Sequence, residues 1–173
     1  EEYPKIKVHF FSSNADAIIE RLDKGLLDIG ILLEPEINPR YEYQKLPFRE
    51  PWGVLMRKDS PLAEKTSVQF NDLAKLPLIL PSQASNSNRL TTLFSDALAE
   101  PLIVATYNLI YNAGLMVEAG MGYALCIDGL INTAGDHPLT FRPLSPQMES
   151  NVYLFFKKYQ VFSKAVKLFV SRL

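Results

Sequence analysis

Three short polar runs stand out for the chemistry their residue types allow: Ser12-Ser13-Asn14, Ser82-Gln83-Ala84-Ser85-Asn86 and Thr106-Tyr107-Asn108. Each follows an apolar stretch that reads as a strand and leads into a stretch with helical spacing. Hydroxyl and amide side chains at such a junction can hydrogen-bond a ligand. The helix N-terminus beyond it offers unpaired N–H groups and the positive end of a dipole, which suits a carboxylate or another anion. The same residue types are the preferred helix caps, so any one of them reads equally well as a local cap. Open parallel sheets gather such connections at one edge, where ligands bind beyond the carboxyl ends of the strands. The ligand-binding candidates are therefore Ser12, Ser13, Asn14, Ser82, Gln83, Tyr107 and Asn108. The chemistry they suit is recognition of a small anionic or polar metabolite. Tyr107 could cover an apolar part of it with the ring and hydrogen-bond through the hydroxyl.

Residues for making or breaking bonds are sparse. His9 lies in an alternating stretch and His137 in the turn Gly135-Asp136-His137-Pro138. No third ligand stands at a suitable spacing, so no metal site is expected. Cys126, the one cysteine, sits in the apolar run Ala124-Leu125-Cys126-Ile127 and reads as a reduced core residue, because reactive thiols need an open, electropositive setting. Gly120-Met121-Gly122 has the composition of a phosphate loop but follows a helix, the reverse of the dinucleotide-binding order. It reads as a helix stop and a tight turn. Asp28 opens a strand after Gly25 and reads as a turn carboxylate. No Gly-x-Ser-x-Gly elbow and no P-loop is present. The expectation is a protein without catalytic residues, metal or cofactor, hence not an enzyme.

The elements that position the polar runs follow from periodicity. Ile6, Val8 and Phe10 alternate, predicting a strand over 5–11. Ala15, Ile18, Ile19 and Leu22 predict a helix over 15–24 closed by Gly25, and 28–33 is a continuous apolar strand. Together these make one βαβ unit. Strands are predicted over 41–46 and 52–57, and a short helical piece over 68–76. A second α/β series follows: strand 78–80, helix 89–98, strand 102–105, helix 108–119 and strand 123–127. Late strands over 139–144 and 151–156 and an amphipathic helix over 161–173 close the chain. Two series in 173 residues predict two lobes, 1–56 with 143–173 and 57–142, around a ligand cleft. The chain would cross between them near Val54–Arg57 and Phe141–Leu144.

The bulk numbers agree with a globular α/β chain: 47% apolar and 21% charged residues. Net charge is -1, from 18 basic and 19 acidic side chains. With no overall basic excess, nucleic-acid contact is expected from another part of the protein. A single cysteine excludes an intramolecular disulfide and fits a reducing cytoplasm. The longest apolar stretch, 108–127, is interrupted by Asn112, Glu118 and three glycines, so no membrane span is expected. No signal peptide opens the chain.

In its ordered motifs the sequence resembles the effector-binding domain of LysR-type transcriptional regulators. The resemblance rests on Tyr3-Pro4 and on Leu22-Asp23-Lys24-Gly25-Leu26-Leu27-Asp28-Ile29-Gly30-Ile31. It continues through Asp59-Ser60-Pro61-Leu62-Ala63, Val117-Glu118-Ala119-Gly120-Met121-Gly122-Tyr123-Ala124-Leu125 and the segment 151–173. It implies a two-lobed, periplasmic-binding-protein-like (type II) α/β fold with mixed sheets and flanking helices. It also implies an effector that shifts a DNA-bound homodimer or homotetramer, paired through helix 15–24 and a second-lobe helix. By position, Ser12 to Asn14, Ser82-Gln83 and Tyr107-Asn108 fall on the family's ligand-contacting loops. The resemblance further implies a strand and helix ahead of Tyr3-Pro4, missing here, and DNA contact only through an N-terminal winged helix-turn-helix that is also missing. The alternative is a transporter's solute-binding protein, which shares the two-lobe fold.

Overall fold

The computed structural model describes residues 3–82 and 101–173. The chain divides into two compact units, Glu1–Arg49 with Asn151–Leu173 and Glu50–Ser150, and the strands β2 (Tyr41–Arg57) and β8 (Glu149–Lys157) each contribute to both.

In the first unit, helix α1 (Ala15–Asp23) is capped by Asn14, whose Oδ1 accepts from the Ala17 N–H at 3.2 Å. Its buried Ile18 and Leu22 meet Tyr41 and Phe155. Strand β1 (Gly30–Leu33) runs antiparallel to β8, Gly30 opposite Phe155 and Leu33 opposite Val152, and β2 follows β8 in the strand order. Alternation along β8 sends Phe155 to the α1 side and Val152 and Leu154 to a second cluster with Leu46. Each fully buried side chain of this kind stabilises the unit by about 1.5–3 kcal/mol. Helix α3 (Lys164–Val170) starts at Ser163, whose Oγ accepts from the Val166 N–H. It is shorter than the amphipathic stretch that predicted it.

The strand expected over 5–11 does not form. Residues 5–14 take no helix or strand, and Ile6, Val8 and Phe10 are exposed, Phe10 at 93%. Alternation specifies which face of a strand is apolar but not what it pairs with. Among the described residues β1 pairs with β8, and no ladder reaches 5–11. The βαβ unit read from the sequence is therefore incomplete here. The two strands expected over 41–46 and 52–57 are instead one strand. Pro47 and Pro51 interrupt donors but not its path; the Pro51 carbonyl still accepts the Asp128 N–H at 3.0 Å.

In the second unit a mixed sheet runs β2-β6-β4-β5, with β6 spanning Tyr123–Ile127, β4 Leu78–Pro81 and β5 Ile103–Tyr107. Strand β7 (Leu139–Ser145) pairs antiparallel with β2, and the short β3 (Val68–Gln69) pairs parallel with β7. The piece expected as helix over 68–76 is thus a bridge followed by a 3-10 turn, Phe70–Leu73, held by a reciprocal cap between Gln69 and Asp72. Both faces of the sheet are covered. Val54, Met56, Leu78, Leu80 and Leu125 pack on one side with Val68 and Leu73. Leu55, Ile79, Ala124 and Cys126 pack on the other with Ala113 and Val117 of α2 (Ile110–Glu118). That burial on both faces is why β4 and β6 read as continuous apolar runs. The helix expected over 89–98 lies outside the described residues.

Candidate functional site

The second unit builds its candidate site from three parallel strands. β4 lies between β5 and β6 and runs parallel to both. The register sets Leu80 opposite Thr106 and Pro81 opposite Tyr107. One residue further on, Ser82 and Asn108 leave adjacent strands at the same carboxyl edge. β6 points the same way on the other side of β4 and ends at Ile127, so Asp128 arrives at this edge too.

Helix α2 begins beyond Asn108. Its N-cap is Leu109, which makes no side-chain cap bond. Asn108 is exposed, and among the described residues no hydrogen bond commits its amide to the helix. Capping therefore accounts for Asn14 but not for Asn108. At its other end α2 stops at Gly120, whose φ of +79° favours glycine. The Gly120 N–H donates to the Val117 carbonyl and the Met121 N–H to the Met116 carbonyl, both at 2.9 Å. Gly122 then passes so near the Pro77 carbonyl that a Cβ would stand 2.3 Å from its oxygen. This close passage lets β6 begin directly beside β4.

Tyr107 serves the sheet. Its hydroxyl donates to the Leu125 carbonyl at 2.7 Å, and its ring packs with the α2-side cluster. Burial, reinforced by Cys126, raises the phenol well above its ordinary pKa, so it remains a protonated donor. Cys126 is buried and free of any disulfide; burial, with the nearby Asp128 charge, pushes its thiol up to about 12. Ser82 is half-buried at the end of β4. Gln83 lies outside the described residues. Ser12, exposed, and Ser13, half-buried, precede the Asn14 cap in the first unit.

Two residues at strand ends carry no signal in the one-dimensional pattern. Asp128 is exposed, and its Oδ1 accepts the Gly129 N–H at 2.7 Å. It becomes visible once β6 is placed parallel to β4. Glu34 follows β1 and accepts both the backbone N–H and the side-chain amide of Asn151, each at 2.8 Å. Its partner lies 117 positions away. A concavity of about 350 Å³ in the second unit is lined by Gln69, Phe70, Asn71, Ser145 and Pro146, and so takes none of the expected ligand residues. Among the described residues no three His, Cys, Asp or Glu side chains stand close enough to hold a metal ion.

The sequence model of the LysR substrate binding domain matches residues 1–173, the whole chain. The chain belongs to the LysR substrate-binding domain family. Its curated relatives include the uncharacterized HTH-type transcriptional regulator YvbU of Bacillus subtilis (strain 168), 26% identical over 99% of this chain and 58% of the relative. They also include the Hca operon transcriptional activator HcaR of Escherichia coli (strain K12), 26% identical over 88% of this chain and 52% of the relative. The LysR domain thus spans little more than half the length of these regulators. Among solved structures, the effector binding domain of QuiR in complex with shikimate superposes with a TM-score of 0.83 at 21% identity, over 99% of this chain and 81% of that one. The Synechocystis PCC6803 CcmR regulatory domain in complex with 2-PG gives 0.81 at 20% identity, over 99% and 83%. These likenesses show the fold: a periplasmic-binding-protein-like α/β architecture of mixed sheets with flanking helices, as the sequence predicts. No helix among the described residues is long and apolar enough to cross a membrane.

Proposed function

We propose that this LysR domain senses a small anionic or polar metabolite and passes the bound state to DNA-binding segments of a longer cytoplasmic regulator. The observation that carries the reading is the match over all 173 residues to a domain whose relatives are transcriptional regulators. That also favours it over the transporter alternative. No covalent step is assigned to the domain.

The ligand contacts proposed are Ser82 and Asn108, which leave adjacent parallel strands together, with Ser12, Ser13, Asn14, Gln83 and Tyr107 included on the family resemblance. Asn108 supports the reading because helix capping does not account for it. Calorimetric titration with a panel of small carboxylates and polyols tests it. Ser82→Ala and Asn108→Ala should each weaken the best binder by about 1 kcal/mol or more, the worth of a lost hydrogen bond. Unchanged affinity in both folded variants would defeat the assignment.

The domain is also proposed to form a homodimer, or a dimer of dimers, through α1 of one copy and α2 of another. Tyr111 and Leu115, one turn apart on α2, are 67% and 51% exposed. Leu115→Asp should shift sedimentation towards the monomer while leaving the thermal midpoint nearly unchanged.

A further inference from the structure

Charge in this chain is segregated although its total is close to balanced. Residues 157–173 contain no Asp or Glu, out of 19 in the chain, yet they hold five of its 18 Lys and Arg, while residues 1–15 balance Glu1 and Glu2 against Lys5 and Lys7. The rest of the chain is correspondingly acidic. The fold joins the two segments. Arg172 donates to the Tyr3 hydroxyl at 3.2 Å and sits 5.3 Å from the centre of its ring. Lys157 is committed to the Asp23 carbonyl at 2.9 Å. Lys5, Lys7, Lys164, Lys167 and Arg172 are exposed, and Lys158 is half-buried.

Two of the carboxylates elsewhere in this unit pair with other cations. Glu20 pairs with Lys24 on α1, and Asp23 with Arg40. Asp16, in the first turn of α1, is exposed. Lys164 and Lys167 lie three positions apart on α3 and so share one face of it. Between Lys158 and Lys164 in the sequence stand Tyr159 and Val161, 97% and 93% exposed. A tyrosine hydroxyl is itself a phosphate donor.

We propose that this terminal basic surface of the first unit lies against the phosphate backbone of double-stranded DNA, without reading bases, when the regulator is bound. The partner follows from charge complementarity. Exposed Lys164 and Lys167 on one helix face and the exposed Tyr159, in a segment 157–173 that contains no Asp or Glu, match a regular polyanion. The inference rests on the regulator reading, which places the domain in a DNA-bound protein. It adds a second, non-specific DNA contact to the one expected from the N-terminal segments.

The test uses the full-length protein that carries these residues, with fluorescence-labelled duplexes at several salt concentrations. One duplex is trimmed to the protein's minimal footprint, and another extends well beyond it. Each phosphate contact contributes about 0.9 to the slope of log affinity against log salt. The double variant Lys164→Glu/Lys167→Glu should flatten that slope by about 2 on the long duplex and weaken binding there by about 10-fold at low salt. It should change little on the trimmed one. Lys75→Glu, at an exposed lysine of the other unit, should match the parent protein on both. Equal slopes for the double variant and the parent on the long duplex would overturn the proposal and leave the regulator reading intact. Failure of the parent protein to bind any duplex would overturn both. Loss of binding to phosphatidylserine vesicles in the double variant, with DNA slopes unchanged, would assign the surface to membranes and overturn it as well.

Discussion

At the residue scale, the same types of side chain ahead of two helices have different uses. Asn14 caps α1, Tyr107 is spent on the Leu125 carbonyl, and Asn108 is exposed, without a hydrogen bond among the described residues. Sequence alone leaves all three open to the same two readings, ligand contact or local cap, because Ser, Asn and Tyr at such a junction look alike until backbone donors are placed. Cys126 is legible directly: apolar neighbours predict a buried thiol, and it is 3% exposed. Its raised pKa has a measurable outcome. The ordinary thiol begins to ionise near pH 8.5, whereas this one stays protonated until about pH 12. Labelling of native protein with a thiol reagent at pH 8.5 should therefore run on the order of 100-fold slower than in denaturant, limited by opening of the unit. Rapid, stoichiometric labelling would contradict the burial.

At the element scale, helices and buried strands are the most legible parts. α1, α2, β4 and β6 appear where periodicity places them, because each buries a stripe or two faces against a covered sheet. The departures occur where a partner decides the structure. Residues 5–11 alternate like a strand but meet no ladder, and β2 passes through two prolines as one strand. The 3-10 turn Phe70–Leu73 is set by a side chain, since Asp72 Oδ2 accepts the Gln69 N–H at 2.9 Å while Oδ1 meets Lys65 at 2.6 Å. Lys65 first, then that N–H, holds the Asp72 carboxyl below the ordinary carboxylate value. A depressed folded-state pKa gives stability that is present above the ordinary carboxylate range and lost as pH falls through the folded value. Asp72→Asn should cost less than about 1 kcal/mol at pH 7, because the pair is partly open to solvent. The gap between variant and parent in urea denaturation should narrow towards pH 3. A gap that widens on acidification would mean the turn is held by something else.

At the scale of the whole molecule, composition indicates a globular α/β chain; the two α/β series suggest lobes of 1–56 with 143–173 and of 57–142, whereas the compact units are Glu1–Arg49 with Asn151–Leu173 and Glu50–Ser150. A total charge of -1 hides the basic C-terminal segment 157–173 and the acidic remainder; only a positional count separates them. Asp128 and Glu34 are equally hidden, since their places at strand ends depend on pairings with distant strands. One further property follows from the second unit being a single run, Glu50–Ser150. Its two ends are fastened to each other. The Trp52 N–H donates to the Met148 carbonyl and its indole N–H to Ser150 Oγ, each at 2.8 Å. In genetic terms the unit is a cassette, entered and left at neighbouring points, and such inserts tolerate excision and permutation. A gene for residues 50–150 alone should give a soluble product with one cooperative thermal transition. A permutant whose old ends are bridged by a short glycine linker after Ser150, and whose new ends open at the exposed turn near Lys75, should melt within a few degrees of it.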